Sequence, residues 1–199
     1  LTRSSAASDV YKRQIQNCAD EGIQIFGGMG FSADTPMESA WRDARIGRIY
    51  EGTNEINRML SVGMLLKKSL KGELDLMGVV MKLVEEITRG KVSKSENNES
   101  ILNEELTILK NLKNVFLIIA GSAFQKYGSE FQKHQQSLLG LSDMLIEIYF
   151  AESALLRTIK NNDRGHEISY QIDMSKLYLF EATDLIQKKA KEIIGNISK

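Results

Sequence analysis

With 199 residues, 42% of them hydrophobic, the chain is long enough to bury a core in one ordinary domain or two small ones. Its 26 Lys and Arg balance 26 Asp and Glu, so no basic field exists to concentrate nucleic acid, which is not expected as a partner. The single cysteine, Cys18, can close no intrachain disulfide and has no companions for a metal site; it reads as a packed helix residue in a reducing compartment. No run reaches the roughly 18 apolar residues that a bilayer span needs.

Residues 1–14, LTRSSAASDVYKRQ, have neither the apolar stretch of a signal peptide nor a clear periodicity. They resemble a translated assembly scar and, with Leu1 in first place, read as a non-native lead on an internal reading frame, outside the fold. The run Gln24-Ile25-Phe26-Gly27-Gly28-Met29-Gly30-Phe31 follows a helical stretch, and taken alone it reads as a helix C-cap and turn. Asp34-Thr35-Pro36-Met37-Glu38 predicts a helix start, with Thr35 as cap, Pro36 in the first turn and Glu38 closing a capping box. That helix should run through Trp41 and Asp43. Beyond Glu51, the spacing of Ile56, Met59, Leu60, Gly63 and Leu66 predicts a second helix, apolar on that face and ending near Lys68.

Residues 90–100, GKVSKSENNES, are polar and without aromatics, marking a connection between two units. After it, Leu102, Leu106, Leu109, Leu112, Phe116 and Ile119 keep helical spacing. So do Leu138, Leu141, Leu145, Ile148, Leu155 and Ile159, with Glu152 the charged exception. A turn at residues 161–165 precedes a third stripe of Ile168, Ile172, Leu177, Leu185, Ile186, Ile193 and Ile194. These predict an antiparallel three-helix bundle, and no alternating strand pattern appears, so the fold is expected to be all-α. The domains read as 15–90, a linker at 91–100 and the bundle at 101–199. Met59, Met64, Met77 and Met81 read as core, and His134 and His166 as surface residues without clustered ligands, so no metal site is expected.

Four elements occur together in order: the Gln24-x-x-Gly27-Gly28-x-Gly30 loop, the Pro36-x-Glu38 helix start, the run Arg42-Asp43-Ala44-Arg45-Ile46, and Tyr50-Glu51-Gly52-Thr53-Asn54-Glu55-Ile56. This order is similar to the acyl-CoA dehydrogenase family of FAD-dependent flavoproteins. The resemblance implies that Glu51 is the base that removes a proton from the acyl α-carbon while hydride leaves the β-carbon for flavin N5. A carboxylate is too weak to deprotonate an unactivated thioester in water, so the carbonyl must be polarised; the resemblance assigns that to the Glu51 backbone N–H and a flavin ribityl hydroxyl. Desolvation beneath a bound acyl chain would strengthen the base. Gly52 lets the thioester lie against the main chain. Thr53 and Glu55 match flavin-contacting positions, with Gln standing in relatives where this chain has Glu55. Gln24, Gly27 and Gly28 match the loop that receives the adenosine end of FAD from a neighbouring subunit, which implies a homodimer. Arg42, Asp43, Arg45 and Arg58 read as members of buried or interfacial ion pairs that hold the segment together.

The chain continues far beyond the base helix, and this extension resembles the very-long-chain branch of the family. The resemblance implies oxidation of a long acyl-CoA to a trans-2-enoyl-CoA in fatty acid β-oxidation, with electrons passed to an electron-transferring flavoprotein. It also implies that the chain, lacking the family's N-terminal helices and middle β-domain, is inactive alone. An alternative is an assembly or scaffold role carried by the bundle. The segment from Leu74 to Val84 could lie at a membrane interface or, as preferred, pack on its own protein. The expected location is the cytoplasm in a bacterium, the preferred source, or the mitochondrial matrix or inner-membrane face in a eukaryote.

Overall fold

Apolar spacing near 3.6 residues dominates the sequence, and the computed structural model, which describes residues 2–90 and 101–198, turns it into helices. They are α1 (Thr2–Phe26), α2 (Pro36–Gly47), α3 (Asn54–Leu70), α4 (Leu76–Thr88), α5 (Asn103–Tyr127), α6 (Gln135–Asp163) and α7 (Ser169–Ile197). Short 3-10 turns occupy Gly27–Phe31 and Gly128–Lys133, and there is no strand among the described residues. The fold is all-α, as expected. Residues 91–100, read as the linker, lie outside the described residues. Two compact units divide at Leu65 and Leu66, inside α3, so α4 groups with the bundle rather than with the residues before it.

In the first unit α1 packs on α2. The two meet through small residues: Ala19 and Ala44 are buried, and a Cβ at Gly22 would meet the Met37 side chain at 2.6 Å. Residues 2–14, expected to stand outside the fold, form the first half of α1. Asp9 among them is buried and paired with Arg13 at 2.8 Å. Cys18 corrects another expectation, because it is exposed on α1 rather than packed. On α3 the buried face follows the apolar stripe only in part, at Leu66. Ile56 and Leu60 are exposed, while Asn54, Asn57, Ser61 and Val62 are buried. Periodicity misses a face that is mostly polar.

In the second unit α5, α6 and α7 form the bundle. Lys113 on α5 meets Glu152 on α6 at 2.6 Å, which accounts for the charged exception in the α6 stripe. Glu147 on α6 accepts a hydrogen bond of 2.7 Å from the Tyr178 hydroxyl on α7, and Thr158 and Ser175 share a buried one of 2.9 Å. On the third side, Lys176 reaches Glu105 at 3.3 Å and the Tyr127 hydroxyl donates to the Asn196 carbonyl. The order of these pairs makes α6 antiparallel to both neighbours. Burial and the Glu147 charge push the Tyr178 phenol up, so it stays a donor across the physiological range. Glycine sets two close approaches: a Cβ at Gly121 would lie 2.8 Å from Val80 on α4, and one at Gly140 would lie 3.1 Å from Ile193 on α7.

The α7 stripe shifts from its expected register. Ile168, Ile186 and Ile193 are buried, but Leu177 and Ile194 are exposed, and Leu179, Ala182 and Ala190 take the inner places. Met81, expected in the core, is 70% exposed. His134 and His166 are exposed as expected. Helix α4, capped by Asp75 accepting from Gly78 N at 2.9 Å, packs on α5 through Leu76 and Val80, in accord with packing on its own protein. By length and composition the span Asn103–Lys133 would suffice to cross a bilayer, contrary to the sequence reading, but here it is a bundle member in contact with α4, α6 and α7.

Leu155 has no exposed surface. Leu155→Ala should therefore cost the bundle about 2–5 kcal/mol, read as a lower urea midpoint with unchanged slope; an unaltered midpoint would place the core elsewhere.

Candidate active site

Six residues, 48–53, join the end of α2 to the start of α3, and hydrogen bonds close them into a loop. Ile49 N and Tyr50 N donate to Ile46 O at 2.9 and 3.3 Å, and Asn54 N donates across the loop to Arg48 O at 3.2 Å. Within this frame Glu51 has φ 54°, the one positive φ outside glycine among the described residues, and Gly52 follows with φ 83°. A left-handed glutamate costs about 1–2 kcal/mol relative to its ordinary conformations, and such strain persists only where the surroundings over-determine it.

Those surroundings are identifiable. The Asn57 side-chain amide on α3 donates to the Gly52 carbonyl at 3.0 Å, and Asn57 N donates to Thr53 O at 2.9 Å. Lys12 on α1 donates to Tyr50 O at 3.2 Å and more distantly to Gly52 O at 3.4 Å. Gly52 is needed for two reasons: its φ, and the 2.8 Å that would separate a Cβ from Asn57 Oδ1. Glu51 itself is exposed, and its N–H donates no hydrogen bond among the described residues, leaving it available to an external acceptor. It lines a cleft of about 290 Å³ between α1 and α2, whose walls include Tyr11, Ile15, Ala44, Asp43 and Tyr50.

Thr53 and Glu55 sit at the start of α3. The Thr53 hydroxyl accepts from Ile56 N at 3.2 Å and so caps the helix. Glu55 is held below its ordinary carboxylate value of 4.5 first by a hydrogen bond from its own backbone N–H, which outweighs the upward push from burial, and then by Thr53 and the charges of Arg58 and Arg48. Beside them, both polar atoms of the fully buried Asn54 amide and the buried Nε of Arg48 have no hydrogen-bond partner among the described residues. A buried polar group left unpaired costs about 1–3 kcal/mol, so this corner suits a polar ligand.

At the other end of the unit, Gly27 has φ 62° and Gly28 an ordinary φ, and a Cβ at either would meet nothing within 4 Å. Packing inside the chain therefore gives no reason for Gly28 to lack a side chain. Gln24 is exposed, and around it stand Ile25, Phe26, Met29 and Phe31, all exposed, with Phe31 edge-on to Trp41. Gly30 is buried, where a Cβ would clash with Ile23 O at 2.7 Å. The expected capping box does not form: Thr35 Oγ1 turns back to Met29 O at 2.8 Å and Ser32 O at 3.2 Å, tying the glycine turn to α2. Arg42 pairs with Glu38 at 3.4 Å on the surface, not in a buried pair, and Asp43 lines the cleft. Sequence reasoning singled out Glu51 and Gly52 but not the two residues that hold their loop, Asn57 and Lys12, whose only signal is a donor one helical turn into α3 and another far upstream.

Residues 3–65 and residues 111–199 both match models described as acyl-CoA dehydrogenase, C-terminal domain. The chain belongs to the acyl-CoA dehydrogenase C-terminal domain family. A probable acyl-CoA dehydrogenase of Bacillus subtilis (strain 168) is 39% identical over 175 residues, 87% of this chain and 29% of that protein. The mitochondrial short-chain specific enzyme of Sus scrofa is 55% identical over 47 residues, 24% of this chain and 11% of that protein. The crystal structure of an acyl-CoA dehydrogenase complexed with FAD from Bacillus anthracis superposes with a TM-score of 0.90 at 34% identity, covering 98% of this chain and 33% of that one. The chain thus spans about a third of the length of the two Bacillus relatives. The family match includes residues 3–14 of α1, which the sequence reading had set aside.

The low Glu55 value means that its charged form stabilises the fold above the unfolded carboxylate value, a contribution lost as pH falls through the folded one. Its side-chain carboxyl, followed by NMR, should titrate below 4.5, with the midpoint rising in Thr53→Val. A midpoint at or above the ordinary value would contradict the hydrogen bonding described.

Proposed function

We propose that the protein carrying this chain is an FAD-dependent acyl-CoA dehydrogenase in which Glu51 removes the α-proton of the acyl thioester. The observation that carries this reading is the left-handed Glu51, held in the loop between two helices and lining a partly apolar cleft. A base held in one strained conformation is pre-oriented and need not spend binding energy on finding its place. The unengaged Glu51 N–H supports a second role for the same residue, as a donor to the thioester oxygen while negative charge develops there. The missing Cβ at Gly52 leaves the main chain open to the thioester.

FAD fits the residues present. Asn54 and Arg48 offer unpaired buried polar atoms beside Thr53 and Glu55, which would hold the flavin end. Gln24, Gly27 and Gly28 would hold the adenosine end, where bare backbone permits close approach. When bound, FAD supplies the acceptor for the hydride that leaves the β-carbon. The exposed apolar group Ile25, Phe26, Met29 and Phe31 supports a homodimer that covers this turn, and an electron-transferring flavoprotein is proposed as the next acceptor. The branch with long acyl substrates is proposed on the helical extension beyond the base helix; the Bacillus subtilis relative that aligns across most of the chain is named only as a probable acyl-CoA dehydrogenase, and the pig short-chain enzyme aligns over 47 residues.

In the complete holoprotein, Glu51→Gln should lower turnover of a long-chain acyl-CoA by on the order of 100-fold or more, while the visible flavin spectrum and FAD stoichiometry stay unchanged. Turnover equal to that of the unaltered protein would remove Glu51 from the role of base.

A further inference from the structure

The strained Glu51–Gly52 pair needs a restraint, and the restraint lies on α3 rather than in the loop. Asn57 is on the first turns of that helix and nearly buried. Its side chain folds back five residues, so that Nδ2 donates to the Gly52 carbonyl at 3.0 Å, the carbonyl of the residue directly after the base. The same side chain fills the space in which a Gly52 Cβ would sit, with its Oδ1 only 2.8 Å from that position. Its backbone is fixed in turn by Asn57 N to Thr53 O, and Thr53 caps the helix through Ile56 N. One end of the contact is thus rigid, and the other is the peptide plane whose orientation follows from Glu51 and Gly52 both being at positive φ.

From this geometry we propose that Asn57 is a positioning residue for the reaction: its amide N–H holds the Gly52 carbonyl and thereby fixes Glu51 in the left-handed conformation from which the carboxylate meets the substrate α-carbon. The inference rests on the reading of Glu51 as the base. The requirement is specific. An aspartate has the same shape but, when ionised, presents only acceptors to a carbonyl oxygen, so it would push the loop away. A leucine removes the donor and keeps the bulk. A glutamine keeps the donor at the end of one more methylene. Lys12 reaches the same carbonyl from α1 at 3.4 Å, a longer contact from a more flexible side chain, and does not replace the Asn57 amide.

The test uses the complete holoprotein with N57D, N57L and N57Q, assayed with an acyl-CoA and its α-dideuterated form. N57D and N57L should lose on the order of 100-fold in kcat, the scale expected for a displaced catalytic group, with KM and FAD stoichiometry little changed and a larger α-deuterium isotope effect, because proton removal becomes more fully rate-limiting. N57Q should recover most of the turnover. A purely structural role would lower stability or FAD content and leave kcat per flavin and the isotope effect as they were, and that result would overturn the proposal. So would equal losses in N57L and N57Q. If N57D yields no holoprotein, N57A takes its place, removing the donor without adding a charge, and is read the same way. Glu51→Gln run in parallel separates the two levels: full turnover in that variant refutes the base itself, whereas a dead Glu51→Gln beside an unaffected N57D refutes only the positioning role.

Discussion

Two consecutive residues at positive φ, one of them a glutamate, are the constraint around which the first unit is arranged. A glutamate does not adopt that conformation unaided. Each nearby feature contributes to it: α2 ends where Ile49 and Tyr50 turn back on Ile46, Asn54 N closes the loop on Arg48, and Asn57 and Lys12 grasp the carbonyls on either side of Glu51. The loop gains rigidity from two helices that are themselves ordinary. Chemistry that must bring a weak base to a weak acid benefits from such rigidity, since the cost of orientation is met in folding rather than at each turnover.

The second unit is held differently. Its bundle is packed through a continuous apolar interior, with the helices brought close by Gly121 and Gly140 and registered by polar pairs such as Thr158 with Ser175 and Tyr178 with Glu147. Hydrogen-bonded pairs of this sort, the first buried and the second half-buried, fix which faces meet, because sliding either helix would leave a polar group unpaired. Outside the interior, α4 presents Val79, Met81, Val84 and Ile87 as exposed apolar residues beside Leu76 and Val80, which pack on α5.

Much of this was legible in the sequence, and the exceptions have physical causes. Helices α5 and α6 followed their apolar spacing closely because their stripes face the interior of one bundle. On α7 the same reasoning misplaced Leu177 and Ile194, since a helix in contact with two neighbours buries small residues such as Ala182 and Ala190 at its tightest points. For α3 the method places Leu66 but not Asn54, Asn57 and Ser61, because a hydrophobicity pattern cannot register buried polar residues, one of which, Asn57, holds the loop. Residues 2–14 lacked a visible stripe, yet helix α1 passes through them and brings Lys12 to the loop. Glu51 was recognisable from the text around it, but its backbone conformation was not, because residue type argues against it.

The central claim is that Glu51 removes the acyl α-proton, and it can be separated from hydride transfer. An acyl-CoA with a quaternary β-carbon has no hydride to give, so any exchange of its α-hydrogens for solvent deuterium reports the base alone. Incubated in deuterated buffer with the complete holoprotein and followed by mass spectrometry, this analogue should take up deuterium at the α-carbon with the unaltered protein and only at the uncatalysed rate with Glu51→Gln. Equal exchange by the two proteins would contradict the account.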